Sequence, residues 1–105
     1  MIDAKETFNG SWPFKPNFFR GNGFSQHFVD EGPRDAPPII LLHGEPTWGY
    51  IYRKCIPALS KKNRVIVPDH MGFGKSETPQ DKEYTLKTHV ENLSNLIEFL
   101  DLKNI

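Results

Sequence analysis

The chain has 105 residues, of which 37% are hydrophobic and 12% aromatic, enough for one modest core or part of one. Thirteen basic residues balance thirteen acidic ones, so no long-range field gathers nucleic acid or an anionic membrane surface. A lone cysteine excludes an internal disulfide, no run approaches the ~18 apolar residues of a membrane span, and the N-terminus lacks a signal-peptide core, which together read as a cytoplasmic chain.

In chain order, residues 1–17 carry Phe8, Trp12, Pro13, Phe14 and Pro16 with neither helical nor strand period. They are expected to form an extended arm packed over a domain at 18–105. Phe18-Phe19-Arg20 and Phe24 to Asp30 flank Gly21-Asn22-Gly23, and an Asn-Gly pair between two such runs signals a β-hairpin. Within the second run Phe24, Gln26 and Phe28 alternate with Ser25, His27 and Val29, which places His27 on a half-exposed face. The proline-rich stretch 31–38 is a connecting loop.

Ile39-Ile40-Leu41-Leu42 has the continuous apolar character of a parallel strand buried on both faces. Thr47 is a candidate N-cap for a helix whose stripe is Trp48, Ile51, Tyr52, Cys55, Ile56 and Leu59, with Pro57 expected to kink it near Cys55 or Ile56. Cys55 is thereby expected to be a packing residue. A second short buried strand, 64–69, completes a strand–helix–strand unit with parallel pairing. After the tight loop Gly72 to Ser76, the positions Leu86, Val90, Leu93, Ile97 and Leu100 step by four and three, the apolar stripe of a second helix from Thr85 to about Leu102. Asn104-Ile105 resembles the start of a further strand. The expected fold is α/β: a β-hairpin, then strand, helix, strand and helix around a parallel sheet.

Three patterns bear on chemistry. Gly74-Lys75-Ser76 after a strand invites comparison with a phosphate-binding loop, but Asp69 stands where the first glycine belongs and Pro79 interrupts the following helix. The glycines at 72 and 74 are read as turn formers. His27, His43, His70 and His89 have no metal-ligand spacing and no cysteine cluster beside them, so neither a metal nor another cofactor is expected. Asp69 and His70, adjacent in sequence, diverge too much to act as an acid–base pair. The third pattern is His43-Gly44-Glu45-Pro46, at the carboxyl end of a strand, where ligands sit in open α/β sheets. Gly44 permits a sharp turn and Pro46 permits a cis bond, so the Glu45 N–H can point into a cleft as an oxyanion donor. The plain alternative is an ordinary strand-to-helix turn with Glu45 on the surface.

The run from His43 to Lys54, followed at a set distance by Val65 to Asp69 and Gly72 to Ser76, resembles the N-terminal part of a haloalkane dehalogenase of the α/β-hydrolase fold. Leu100 to Ile105 is similar to the segment leading into that family's nucleophile strand. The resemblance implies an aspartate that displaces halide from carbon, then a histidine-activated water that hydrolyses the ester, acting on a small halogenated substrate. It assigns Glu45 the oxyanion role through its backbone N–H and a cavity-lining side chain, with Pro46 and Trp48 beside the substrate. His43, Gly44, Asp69, Gly72 and Gly74 become structural turn residues. The nucleophile, acid and base would lie beyond Ile105, since no G-x-D-x-G or G-x-S-x-G occurs in the chain. The chain alone is thus expected to be an inactive fragment, truncated before the nucleophile elbow, with an unpaired edge on the strand at 64–69. An epoxide hydrolase, a β-lactone-processing hydrolase and a serine esterase would share this half of the site, and a non-catalytic interaction module is the reading from another class. Nothing in the sequence sets the oligomeric state.

Overall fold

The computed structural model describes residues 1–105. Four strands, β1 (Asn17–Phe19), β2 (Gln26–Glu31), β3 (Pro38–Ile40) and β4 (Arg64–Pro68), form one mixed sheet in the spatial order β1-β2-β4-β3. The hairpin is present: β1 and β2 are antiparallel with Phe19 opposite Gln26, and the connection turns where Gly23 N–H donates to Arg20 O. Gly23 takes φ +81°, a value open to glycine at little cost. β2 lies antiparallel to β4, Phe28 opposite Pro68, and β3 lies parallel to β4, Ile39 opposite Val65.

The period-2 alternation of β2 feeds two cores. Phe28 joins Phe19, Ile66 and Leu96 on one side of the sheet, and Val29 joins Trp12, Ile56, Val65 and Val67 on the other. Fully burying such a side chain contributes ~1.5–3 kcal/mol. β4 is the centre of the sheet, paired on both sides, which corrects the expectation of an unpaired edge there. The sheet's edges are β1 and, beside β4, β3. β3 is three residues long and half-buried, not the doubly buried strand expected for 39–42, because it has a hydrogen-bonded neighbour on one side only; Leu42 beyond it is 42% exposed.

The helix expected after Thr47 is replaced by a 3-10 turn, Gly49–Tyr52, and a short helix, α1 (Cys55–Leu59). Thr47 does not cap it: its N–H and hydroxyl both donate back to Gly44 O, and Trp48 occupies the position before the turn. Gly49 N–H donates to the Asp69 carboxylate at 2.8 Å, which fixes the backbone at the turn, and the aromatic and β-branched run after it favours helix little. Pro57 falls in the first turn of α1, where a missing N–H costs nothing, so it kinks nothing. Cys55 is exposed at the start of α1, not packed in a stripe.

The second helix, α2 (Leu86–Leu100), starts at Thr85, whose Oγ1 accepts Thr88 N–H as a capping residue should, and ends at Asp101 with φ +53°. Its buried residues are Asn92 and Leu96, while Leu86 is 80% and Val90 56% exposed, so the inward face is rotated from the expected stripe. The rotation follows the contact with the hairpin turn: Asn22 Nδ2 donates to Asn92 O and Asn95 Nδ2 to Asn22 Oδ1. Asn104 and Ile105 form no strand. The N-terminal arm is tied down at both ends, by Ile2 N–H to Gly74 O and by Trp12, fully buried against Phe14 and Trp48.

Candidate functional site

The chain leaves β4 through two adjacent residues with different tasks. Asp69 is fully buried, and its carboxylate accepts from His27 Nδ1–H (2.9 Å), Gly49 N–H (2.8 Å) and Lys75 N–H (3.0 Å). Those partners come from β2, the 3-10 turn and the glycine loop, so one side chain joins three segments. His27 is completely buried, not half-exposed; the β2–β4 pairing carries it opposite Asp69, and its own N–H donates to Ser76 Oγ. Gly74, at φ +54°, has no room for a side chain, since a Cβ would lie 2.5 Å from the Asp69 carboxylate. Lys75 is buried as well and sends its ammonium to the Ala4 and Glu6 carbonyls at 2.9 and 2.7 Å. Burial holds that lysine below its ordinary range against the attraction of Asp69, Glu6 and Asp3. A lysine held in this way is a structural tie to the arm, its buried ammonium turned to the arm carbonyls and away from any ligand in solution.

His70 turns the other way, into a cleft of about 360 Å³ at the carboxyl ends of β3 and β4. His43 clamps it: His70 N–H donates to His43 Nε2 (2.9 Å) and His70 Nε2–H to His43 O (3.1 Å), with ring centres 4.4 Å apart. His43 Nε2 is therefore an acceptor and its proton sits on Nδ1, which donates to Gly44 O (2.9 Å). His70 is left neutral. Burial is the largest influence holding its imidazole low; His43 and His89 add to it, while the hydrogen bond with His43 and the charge of Asp69 oppose it. Apolar walls from Leu42, Phe73, Leu86, Val90 and Leu93 complete the cleft, with His89 among them.

Of the residues singled out in the sequence, His43, Gly44 and Glu45 line this cleft together. The Glu45–Pro46 bond is cis, and Glu45 N–H donates to no group of the chain. The Glu45 side chain is exposed. Gly44 has an ordinary φ and nothing within 4 Å of where a Cβ would stand, so the turn does not depend on its being glycine. Pro46 and Trp48 are not cleft residues: Pro46 is exposed, and the Trp48 ring packs on Phe8, Trp12 and Tyr50. Gly72 takes φ +87° in its tight loop. The sequence reading missed His70 and Phe73 as cleft residues and the His27–Asp69 bond. Position signals the first, since His70 directly follows a strand's carboxyl end. No group of histidine, cysteine and carboxylate residues is arranged to hold a metal ion.

A parallel strand pair joined by a helical crossover, with an apolar cleft at the strands' carboxyl ends, is the layout of an α/β fold that binds ligands at that end of its sheet. A family model for the alpha/beta hydrolase fold matches residues 37–105, and the chain belongs to that fold family. Within it, the chain is similar to haloalkane dehalogenases. It is 52% identical over 81 residues to the haloalkane dehalogenase of Psychrobacter cryohalolentis, covering 75% of this chain and 27% of that protein. It is 47% identical to that of Mycolicibacterium paratuberculosis, with the same coverage. The structure superposes on a tetrameric haloalkane dehalogenase from Paraglaciecola agarilytica with a TM-score of 0.85 and 42% identity, covering 90% of this chain and 34% of that one. The chain spans about a quarter of the length of the curated relatives it matches.

Proposed function

We propose that the chain supplies the oxyanion side of a haloalkane dehalogenase active site, cleaving the carbon–halogen bond of a small halogenated alkane with water. Residues 18–105 carry this half of the hydrolase core and residues 1–17 strap it. The aspartate nucleophile, the base and its acid partner are contributed by sequence other than these 105 residues. Attack of that aspartate on carbon breaks the carbon–halogen bond and expels halide; water, losing a proton to the base, then adds to the ester carbonyl, and collapse of that adduct releases the alcohol and frees the aspartate. The developing oxyanion is where the Glu45 N–H acts, and a preorganised donor in a water-poor site lowers the barrier by ~3–4 kcal/mol. The backbone suits the role better than the side chain, because an ionised carboxylate close to a forming anion is repulsive. Pro46 and Trp48 hold the turn from outside the cleft. No cofactor takes part, and the lone exposed Cys55 suits a reducing, cytoplasmic setting.

The observation that carries this reading is the Glu45 N–H, unpaired within the chain and placed at the rim of an apolar cleft. It is tested by grafting residues 37–105 in place of the matching segment of the Psychrobacter enzyme and following bromide release from short bromoalkanes. The graft should release halide. Glu45→Pro, which removes the N–H, should lower kcat by ~10²–10³-fold, while Glu45→Gln, which keeps it, should retain activity. A folded graft without halide release, or a Glu45→Gln loss as large as that of Glu45→Pro, overturns the assignment. The 105-residue chain alone should release no halide above a protein-free blank.

A further inference from the structure

We propose that Asn22 is a shielded deamidation site, and that its modification undocks α2 and with it one wall of the cleft. The chain contains two Asn-Gly pairs, Asn9-Gly10 and Asn22-Gly23. In such a pair the glycine nitrogen, unshielded for want of a Cβ, attacks the asparagine side-chain carbonyl carbon. The bond to the side-chain nitrogen breaks, ammonia leaves, and water opens the cyclic imide to aspartate or isoaspartate.

Both glycine N–H groups are hydrogen-bonded, Gly10 to Thr7 O at 3.0 Å and Gly23 to Arg20 O at 3.2 Å, so that bond does not distinguish the two sites, although Asn9 stands at φ +59° and Asn22 at negative φ. The side chains do. The Asn9 amide is exposed and makes no hydrogen bond within the chain, whereas Asn22 is half-buried with its amide held on both atoms. Its Nδ2 donates to Asn92 O (3.1 Å) and Gln26 Oε1 (3.3 Å), and its Oδ1 accepts from Asn95 Nδ2 (2.8 Å). Cyclisation requires the side chain to leave all three partners and swing onto Gly23.

The same bonds set the consequence. A carboxylate at position 22 has no hydrogen to donate, so it places negative charge against two acceptors, the Asn92 carbonyl and the Gln26 amide oxygen. An isoaspartate also lengthens the backbone inside the hairpin turn. The hydrogen bonds that tie α2 to another segment are those with Asn22, and the buried Asn92 Nδ2 has no partner; the rest of its attachment is apolar, Leu96 and Leu100 against Phe19, Phe28 and Ile66 and the Phe99 ring on Phe19. Leu86, His89, Val90 and Leu93, which line the cleft, move with the helix.

The 105-residue protein is incubated in mildly alkaline buffer and both sites are followed in one sample by peptide mass mapping. Asn9 should convert first and Asn22 should lag by at least ~10-fold, the gap closing in urea. Asn95→Ala, an exposed helix position where alanine is well tolerated, should speed conversion at Asn22 by about threefold to tenfold and leave Asn9 unchanged. Protein purified after conversion at Asn22, and the Asn22→Asp variant, should lose amide exchange protection along α2 while β2 and β4 keep theirs. Equal folded-state rates at the two sites, or no effect of Asn95→Ala, overturns the shielding. Unchanged protection of α2 overturns the undocking.

Discussion

Asp69 and His70 stand side by side at the end of β4, and the regions they face are built on opposite terms. On the Asp69 side a buried carboxylate, His27, Ser76, Lys75 and the arm form a linked set of hydrogen bonds that leaves only His27 Nε2 and Trp12 Nε1 buried without a partner. On the His70 side the cleft keeps an unpaired Glu45 N–H and exposed apolar residues, Leu86 among them. The linked side holds the turn in shape so that the open side can present groups to something else. Rigidity and availability are separated across a single peptide bond, which is how a scaffold carries a site without that site contributing to its own stability.

That contrast can be broken from its strongest point. Asp69→Ala would orphan His27 Nδ1–H, Gly49 N–H and Lys75 N–H together in a buried setting, and should cost about 3–5 kcal/mol, read from urea unfolding. A loss under about 1 kcal/mol would mean the linked side does not hold the fold. A middle-sized effect comes from pH. His70 is held below its ordinary value of 6.5 in the folded chain, so the unfolded chain takes up its proton first as pH falls. This contribution to stability is complete above ~6.5 and is lost on acidification below that. The unfolding midpoint should drop as pH falls below about 6.5, and His70→Gln should make that drop smaller; an identical drop would show that His70 does not titrate with folding. The smallest effect belongs to the open side. Val90→Lys, on a 56% exposed cleft residue, should change stability by no more than ~0.5 kcal/mol while making the cleft wall polar, seen as weaker binding of a hydrophobic dye.

Local pattern carried much of this in the sequence. Asn22-Gly23 marked the hairpin, the continuous apolar strands marked parallel pairing, and Thr85 with the following period marked α2. What escaped depends on partners far along the chain. The His27–Asp69 bond joins residues 42 apart and becomes visible only once β2 is set against β4. The 3-10 turn at Gly49 follows from that same carboxylate, so a missed tertiary bond became a misplaced helix. α2 was placed correctly along the chain and wrongly about its own axis, because hydrophobic period says nothing of Asn92 bonding to a turn 70 residues away. The Glu45 turn was legible as a candidate from Gly44 and Pro46, although Gly44 turns out to need no special backbone angle.

The tie between Lys75 and the arm also has a timetable. Lys75 Nζ reaches Ala4 O across 71 positions of sequence, so during synthesis this tie to the arm forms only once the glycine loop has been made. At ~5–20 residues per second the arm, with Phe8, Trp12 and Phe14, waits about 4–14 s in the open before its lysine arrives. During vectorial synthesis this aromatic segment stays open to a chaperone until the glycine loop has emerged to tie it down.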